Sequence, residues 1–297
     1  MKSLANAPAR LRLLASVVVL LTLALSCRDP TMALTGLYDA RRLAADLRIQ
    51  FSKSTDASSR AVLADTDETS IANASESEQA TQALERDAEK LATLLRGLRF
   101  SDEVQLLREF NARFSEYRKL DRNILSLAVE NTNLKAQALS FGPASQAASN
   151  LETSLRSAAT EFPAHERCRA DGLVAQALLS VRKIQVLHGP HIAEHDDAAM
   201  TRTESEMAAL EATARAALNS LGADAPAKAR PALTDALSAL DKFHDSSAQI
   251  VQLSRRNTNV VSLDLALRKR PTLVSACDDS LRALQASLAK DRPQAAR

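Results

Sequence analysis

The stretch LAVENTNLKA, residues 127–136, decides how the chain is read. Around it, Leu107, Phe110, Phe114, Tyr117, Ile124, Leu127, Asn131, Leu134, Ala138 and Phe141 recur at three-and-four spacing, the signature of one buried helix face. Asn131 lies in that seam. The same wording returns downstream: ILSLAVENTNL (124–134) becomes IVQLSRRNTNV (250–260), an offset of 126 positions. The offset also sets Leu95 on Leu221, Leu107 on Leu233, Phe114 on Leu240 and Tyr117 on Phe243. A single offset held over so many positions predicts one helical unit repeated twice.

Composition points the same way. Of 297 residues, 45% are apolar and 25% charged, with only 6 Gly, 9 Pro and 3% aromatics. Few chain breakers and few residues that favour strands predict an all-α fold. Gly97 is the expected end of one helix, and Ser101, followed by Asp102 and Glu103, the expected cap of the next. Gly222 and Pro226 repeat the signal. The reading is two αα-hairpins, 34–162 and 164–290, linked near Pro163 and packed as a long antiparallel up-down-up-down four-helix bundle. Arms of about 60 residues would be on the order of 90 Å long.

In that arrangement Asn131 and Asn257 stand at matching heights, and two readings stay open. They form a polar layer that fixes register, in which case Leu at both positions should raise stability. Or they form a polar ligand layer. Pro143 and Pro271 fall at nearly corresponding places and predict paired helix breaks.

The first 26 residues read as a leader. Lys2, Arg10 and Arg12 precede an apolar run, residues 13–26, that is shorter than the roughly 20 residues a bilayer span needs. LALSC (23–27) makes Cys27 a lipidation candidate, with simple cleavage after Ser26 as the alternative. The expectation is an exported, periplasmic protein, tethered by residues 27–33 and ending in a disordered tail, 291–297. Removing the leader takes away three positive charges and no acidic residue, so the net charge falls from +2 to −1. A near-neutral body with mixed charges argues against a nucleic-acid partner.

Four segments carry a resemblance. They are LLREFNARFSEYRKLDRNIL (106–125) with LAVENTNLKAQALSFGPA (127–144), AVLADTDETS (61–70), and IQVLHGPHIAEHDDAAM (184–200). Together the chain from about 34 to 290 resembles the extracytoplasmic four-helix-bundle sensor domain of methyl-accepting chemotaxis proteins. The resemblance implies a small polar solute as ligand, a homodimer, and a membrane-bound signalling partner. Such receptors continue into a second membrane span and a cytoplasmic hairpin. This sequence ends at Arg297 without them, so the expectation is a sensor lacking its own transmitter, either one that hands its signal to another protein or a truncated receptor. The family's ligand arginines do not map residue by residue. Tyr117, Arg118 and Arg122, which flank the polar part of the seam, join Asn131 and Asn257 as ligand-binding candidates.

Two further constellations have their own chemistry. His191 and His195, four apart in HGPHIAEHDD (188–197), would share a helix face and suit a divalent metal, with Gly189–Pro190 breaking the helix just before them. A metal-binding protein is therefore one alternative function, and a structural helical spacer at the cell envelope the other. Cys168 and Cys277 mirror one another about the turn at 221–223, which makes them a disulfide candidate. No nucleophile with a base, no phosphate-binding glycine loop and no cofactor motif occurs, so no enzyme is expected.

Overall fold

A computed structural model describes residues 30–290. Among them the chain is all-helical with no strand. In order the elements are α1 (Pro30–Val62), α2 (Asp67–Leu98), α3 (Ser101–Glu130), α4 (Thr132–Leu139), a π-helical turn (Ser140–Ala144), α5 (Ser145–Thr160), α6 (Ala164–Ala193), α7 (Asp197–Ala223), α8 (Arg230–Arg256), α9 (Thr258–Arg268) and α10 (Arg270–Lys290). No described helix is long and apolar enough to cross a membrane. The expected leader, Cys27 and the tail lie outside the described residues. Pro30 already opens α1, which shortens the expected tether.

The arms are shorter than the sequence spacing suggests. An unbroken first arm to Gly97 was expected, yet the chain turns at 63–66, and again at 194–196 where the third arm was expected to continue. Both turns lack glycine and proline, and both restart on a polar cap. Thr66 Oγ1 accepts the Thr69 N–H at 3.1 Å, and Asp196 Oδ1 accepts that of Ala199 at 2.7 Å. Gly97 does not end α2: the left-handed residue is Arg99, at φ 63°, and Phe100 N–H closes the turn on Leu95 O at 3.0 Å. Ser101 is then the first helical residue rather than the cap.

The described chain forms two compact units, which differs from the single domain expected over 34–290. Among the described residues, unit 1 comprises 30–55, Glu78–Tyr117 and 272–290; unit 2 comprises Asp56–Ser77 and Arg118–Pro271. Four helical stripes meet in the core of unit 1: Leu37, Leu47 and Phe51 from α1; Leu84, Leu91 and Leu95 from α2; Leu107, Phe110 and Phe114 from α3; Leu281, Leu284 and Leu288 from α10. Phe51 meets Phe110, Phe114 and Tyr117 edge-on, with ring centroids 5.1–6.5 Å apart. Arg48 pairs with Asp278 at 2.9 Å, and Arg41 donates to Leu288 O at 2.8 Å, so α10 is held on α1 by polar contacts as well.

Unit 2 packs α5, α6, α7 and α8 around Leu151, Leu155, Val181, Ile184, Leu218 and Leu240, among others. Corresponding parts of the two repeats are exchanged. The offset of 126 sets α5 on α10, yet α5 of the first repeat joins the core that holds α6–α8, and α10 of the second joins α1–α3.

The Asn-Thr-Asn stretches are where the helices break. Asn131 (φ 51°, ψ 41°) and Asn257 (φ 53°, ψ 34°) are both left-handed, a conformation Asn tolerates better than most residues. They are therefore not positions in a continuous seam, as expected, but the residues that end α3 and α8 and cap α4 and α9. Each break frees the first amides of the next helix, and the other repeat receives them. Thr132 N–H donates to Thr258 Oγ1 and Thr258 N–H to Thr132 Oγ1, both at 3.1 Å. Asn133 N–H donates to Asn259 Oδ1 and Asn259 N–H to Asn133 Oδ1, again both at 3.1 Å. The side chains close the set, Asn133 Nδ2 to Asn257 Oδ1 and Asn259 Nδ2 to Asn131 Oδ1, each at 2.8 Å. Glu130 and its repeat mate Arg256 form an ion pair just outside.

One atom departs from the twofold pattern. Asn257 Nδ2 donates to Glu194 O at 2.6 Å, whereas the buried Asn131 Nδ2 has no partner among the described residues. The cause is the unequal hairpins: α6 runs to Ala193, and the residue that the offset sets against Glu194, Glu68, lies inside α2.

The prolines sit at breaks, as expected: Pro143 in the π-helical turn, where the widened spiral tolerates a missing N–H, and Pro271 beside the interruption at Lys269. Pro190 behaves differently, since α6 continues through it to Ala193. The expected disulfide is not formed. Cys168 is exposed and Cys277 buried, both as free thiols, and they belong to different units. The mirror about 221–223 assumed that α10 follows α6, and α10 instead supplies unit 1. Burial pushes the Cys277 thiol up to about 12.

Because both Asn257 hydrogen bonds and its left-handed backbone favour Asn, Asn257→Leu should destabilise the protein rather than stabilise it. The expected loss is about 2–4 kcal/mol in urea unfolding, from lost hydrogen bonds and left-handed strain together.

Candidate functional site

The polar interior of unit 2 is built where α6 ends. Ile184, His188 and His191 follow one another at four and three positions, so the histidines continue the apolar seam of α6 into the core. His188 is fully buried. Its Nδ1 is 3.1 Å from Ser140 Oγ and its Nε2 3.1 Å from Ser247 Oγ, and its ring stacks on Phe243 at 6.0 Å. Burial, with a smaller contribution from His191, lowers the His188 pKa to about 4, so the ring is neutral at neutral pH.

His191 is equally enclosed. Its Nδ1 lies 2.6 Å from Ser254 Oγ and its Nε2 2.8 Å from Glu204 Oε1. Glu204 is also gripped by Arg255, Nε to Oε1 at 2.6 Å and Nη2 to Oε2 at 2.9 Å, and Arg255 reaches Asp197 and Thr201 at the start of α7. The Arg255 guanidinium, then His191, hold the Glu204 carboxyl below the usual carboxylate range, so it is ionised.

Beside these groups a cleft of about 270 Å³ opens between α6, α7 and α8. Ile184, Met207, Phe243 and Val251 form its apolar walls, and Glu204, Glu211, His244 and Ser247 its polar lining. Glu211 Oε2 is 2.7 Å from His244 Nδ1, and Glu211 Oε1 accepts from Arg215 Nη2 at 3.3 Å. A preformed concavity with mostly apolar walls and a few fixed polar groups is the usual form of a small-molecule site.

The sequence candidates map onto this only in part. His191 is in the network behind the cleft, but His195 is exposed in the 194–196 turn, because α6 stops at Ala193. The two histidines therefore do not share a helix face, and no group of three metal-ligating side chains occurs among the described residues. Tyr117 is fully buried in the core of unit 1. Arg118 is buried and Arg122 exposed on α3, and Asn131 and Asn257 are engaged in the reciprocal caps.

Sequence reading missed His188, Glu204, Glu211, Ser247 and Arg255. The available signal was the 184–188–191 spacing, which places two histidines on the buried face. It also missed a second buried polar group in unit 2. Ser58 Oγ donates to Asp121 Oδ1 at 2.6 Å, while Arg270 reaches Ser58 Oγ at 2.9 Å and Ser59 Oγ at 2.7 Å.

His188 gives unit 2 a defined pH response. Its folded pKa lies below the value of an unfolded histidine, so the unfolded chain takes up the proton first, and stability falls as pH drops from about 6.5 toward about 4. The full loss is about 3 kcal/mol. Urea unfolding at several pH values in this window should show that difference between the wild type and His188→Gln, whose uncharged side chain removes the proton uptake. No protein-family model and no curated protein matches the chain.

Proposed function

We propose that the protein is an exported sensor-type module that binds a small polar solute in the α6–α7–α8 cleft and hands the signal to a separate membrane-bound partner. The observation that carries this reading is the cleft itself, open, mostly apolar-walled, and backed by side chains already locked in hydrogen bonds. Preorganised polar groups reduce the ordering cost of binding. The resemblance to chemotaxis sensor domains supports the same class. In this reading each unit packs as an antiparallel four-helix bundle, and the protein works as a homodimer at the periplasmic face of the membrane. It performs no chemistry: a solute that fits one arrangement of α6, α7 and α8 better than another shifts the population toward it.

A structural spacer is the competing reading, favoured by the reciprocal Asn-Thr-Asn caps, which hold helices without needing a ligand. Thermal unfolding of the full chain against amino acids, carboxylic acids, aromatic acids and amines separates the two. One compound class should raise the midpoint progressively, with the logarithm of its concentration above Kd, by about 3 kcal/mol of added stability at a hundredfold excess over Kd. Ala208→Phe, which fills the cleft from an exposed position, should abolish that rise. If no class at millimolar concentration moves the midpoint, the spacer reading stands instead.

A further inference from the structure

We infer that the cleft between α6, α7 and α8 takes an amine, a compact cation carried on an apolar body. This deepens the solute-binding reading above and rests on it. The charge of the lining decides the class. Its formally charged side chains are Glu204 and Glu211, and no lysine or arginine lines the cleft. The remaining titratable lining group, His244, is hydrogen-bonded to Glu211.

The two carboxylates differ in what they have left to offer. Glu204 is the more heavily engaged, with two donors from Arg255 and one from His191. Glu211 has one close partner, His244 at 2.7 Å, and a long contact from Arg215 at 3.3 Å whose other branch pairs with Asp241 at 2.9 Å. Lone pairs on Glu211 are therefore available to an ammonium group, with the Ser247 hydroxyl also in the lining as an acceptor. A carboxylate ligand in the same cleft would stand against two carboxylates and find no cation in the lining to receive it. Ile184, Met207, Phe243 and Val251 supply the apolar enclosure for the body of the ligand, and about 270 Å³ accommodates one aromatic or branched aliphatic group.

Three probes of one shape test the assignment: phenethylamine, phenethyl alcohol and phenylacetate, titrated by calorimetry into the full chain and into Glu211→Gln. Phenethylamine should bind about tenfold more tightly than the alcohol, with phenylacetate weakest, since a charge-assisted hydrogen bond exceeds a neutral one by about that factor. Glu211→Gln should weaken the amine about tenfold and leave the alcohol unchanged, which also shows that the variant is folded. Equal or tighter binding of the alcohol or of phenylacetate, or indifference of the amine to Glu211→Gln, overturns the amine assignment while cleft binding stands. Absence of binding by all three also overturns the assignment. The cleft reading itself falls only if the wider compound panel leaves the unfolding midpoint unmoved as well.

Discussion

The reciprocal capping of two helix starts is the constraint on which unit 2 depends. Asn131 and Asn257 end their helices in a left-handed turn, which leaves the next amides, in the buried interior, without a partner in their own helix. A buried amide without a partner costs about 1–3 kcal/mol, so the break is tolerable only if an acceptor is supplied from elsewhere. Each repeat supplies the acceptors for the other, through Thr258 and Asn259 in one direction and Thr132 and Asn133 in the other. The duplication explains why one short motif can do this: a stretch that offers both donors and acceptors in fixed geometry satisfies a copy of itself across a local twofold.

The same region ties the scaffold to the candidate site. Asn133 Nδ2 donates to Ile192 O and Asn257 Nδ2 to Glu194 O, so the end of α6, with His188 and His191 just before it, is fastened to the motif. On the far side Arg255, two residues ahead of Asn257, fixes Glu204 in the lining of the cleft. One polar group of the lining, Glu204, is thus held by a residue close to the break that ends α8. A change in how α8 sits would move Phe243, His244, Ser247 and Arg255 together, because all four are on one rigid helix.

Much of the fold was legible because it is written in periodicity. The all-helical class, the offset of 126 and the proline breaks follow from apolar spacing and from residues with restricted backbones. The turns at 63–66 and 194–196 were not read, since neither contains glycine or proline and both interrupt segments of high helical propensity. Their traces were the caps, Thr66 ahead of Asp67–Glu68 and Asp196 ahead of Asp197. Missing them doubled the length of two arms and put Cys168 opposite Cys277. For the site, pattern matching favoured His191 with His195, four apart and flanked by acids, over His188 with His191. Only the ending of α6 at Ala193 separates those choices, and beside that end Asn133 Nδ2 donates to the Ile192 carbonyl, a contact 59 positions distant in sequence.

A double-mutant cycle on Thr132 and Thr258 tests the reciprocal cap most directly. Thr132→Val, Thr258→Val and the double variant are compared by equilibrium urea unfolding. If each hydroxyl caps the other helix and the two hydroxyls, 3.2 Å apart, also contact each other, the double variant should lose less than the sum of the single losses, with a coupling of about 1 kcal/mol or more. Losses that add within about 0.3 kcal/mol would mean that the two breaks are satisfied independently, and the account of a motif that caps its own copy would be contradicted.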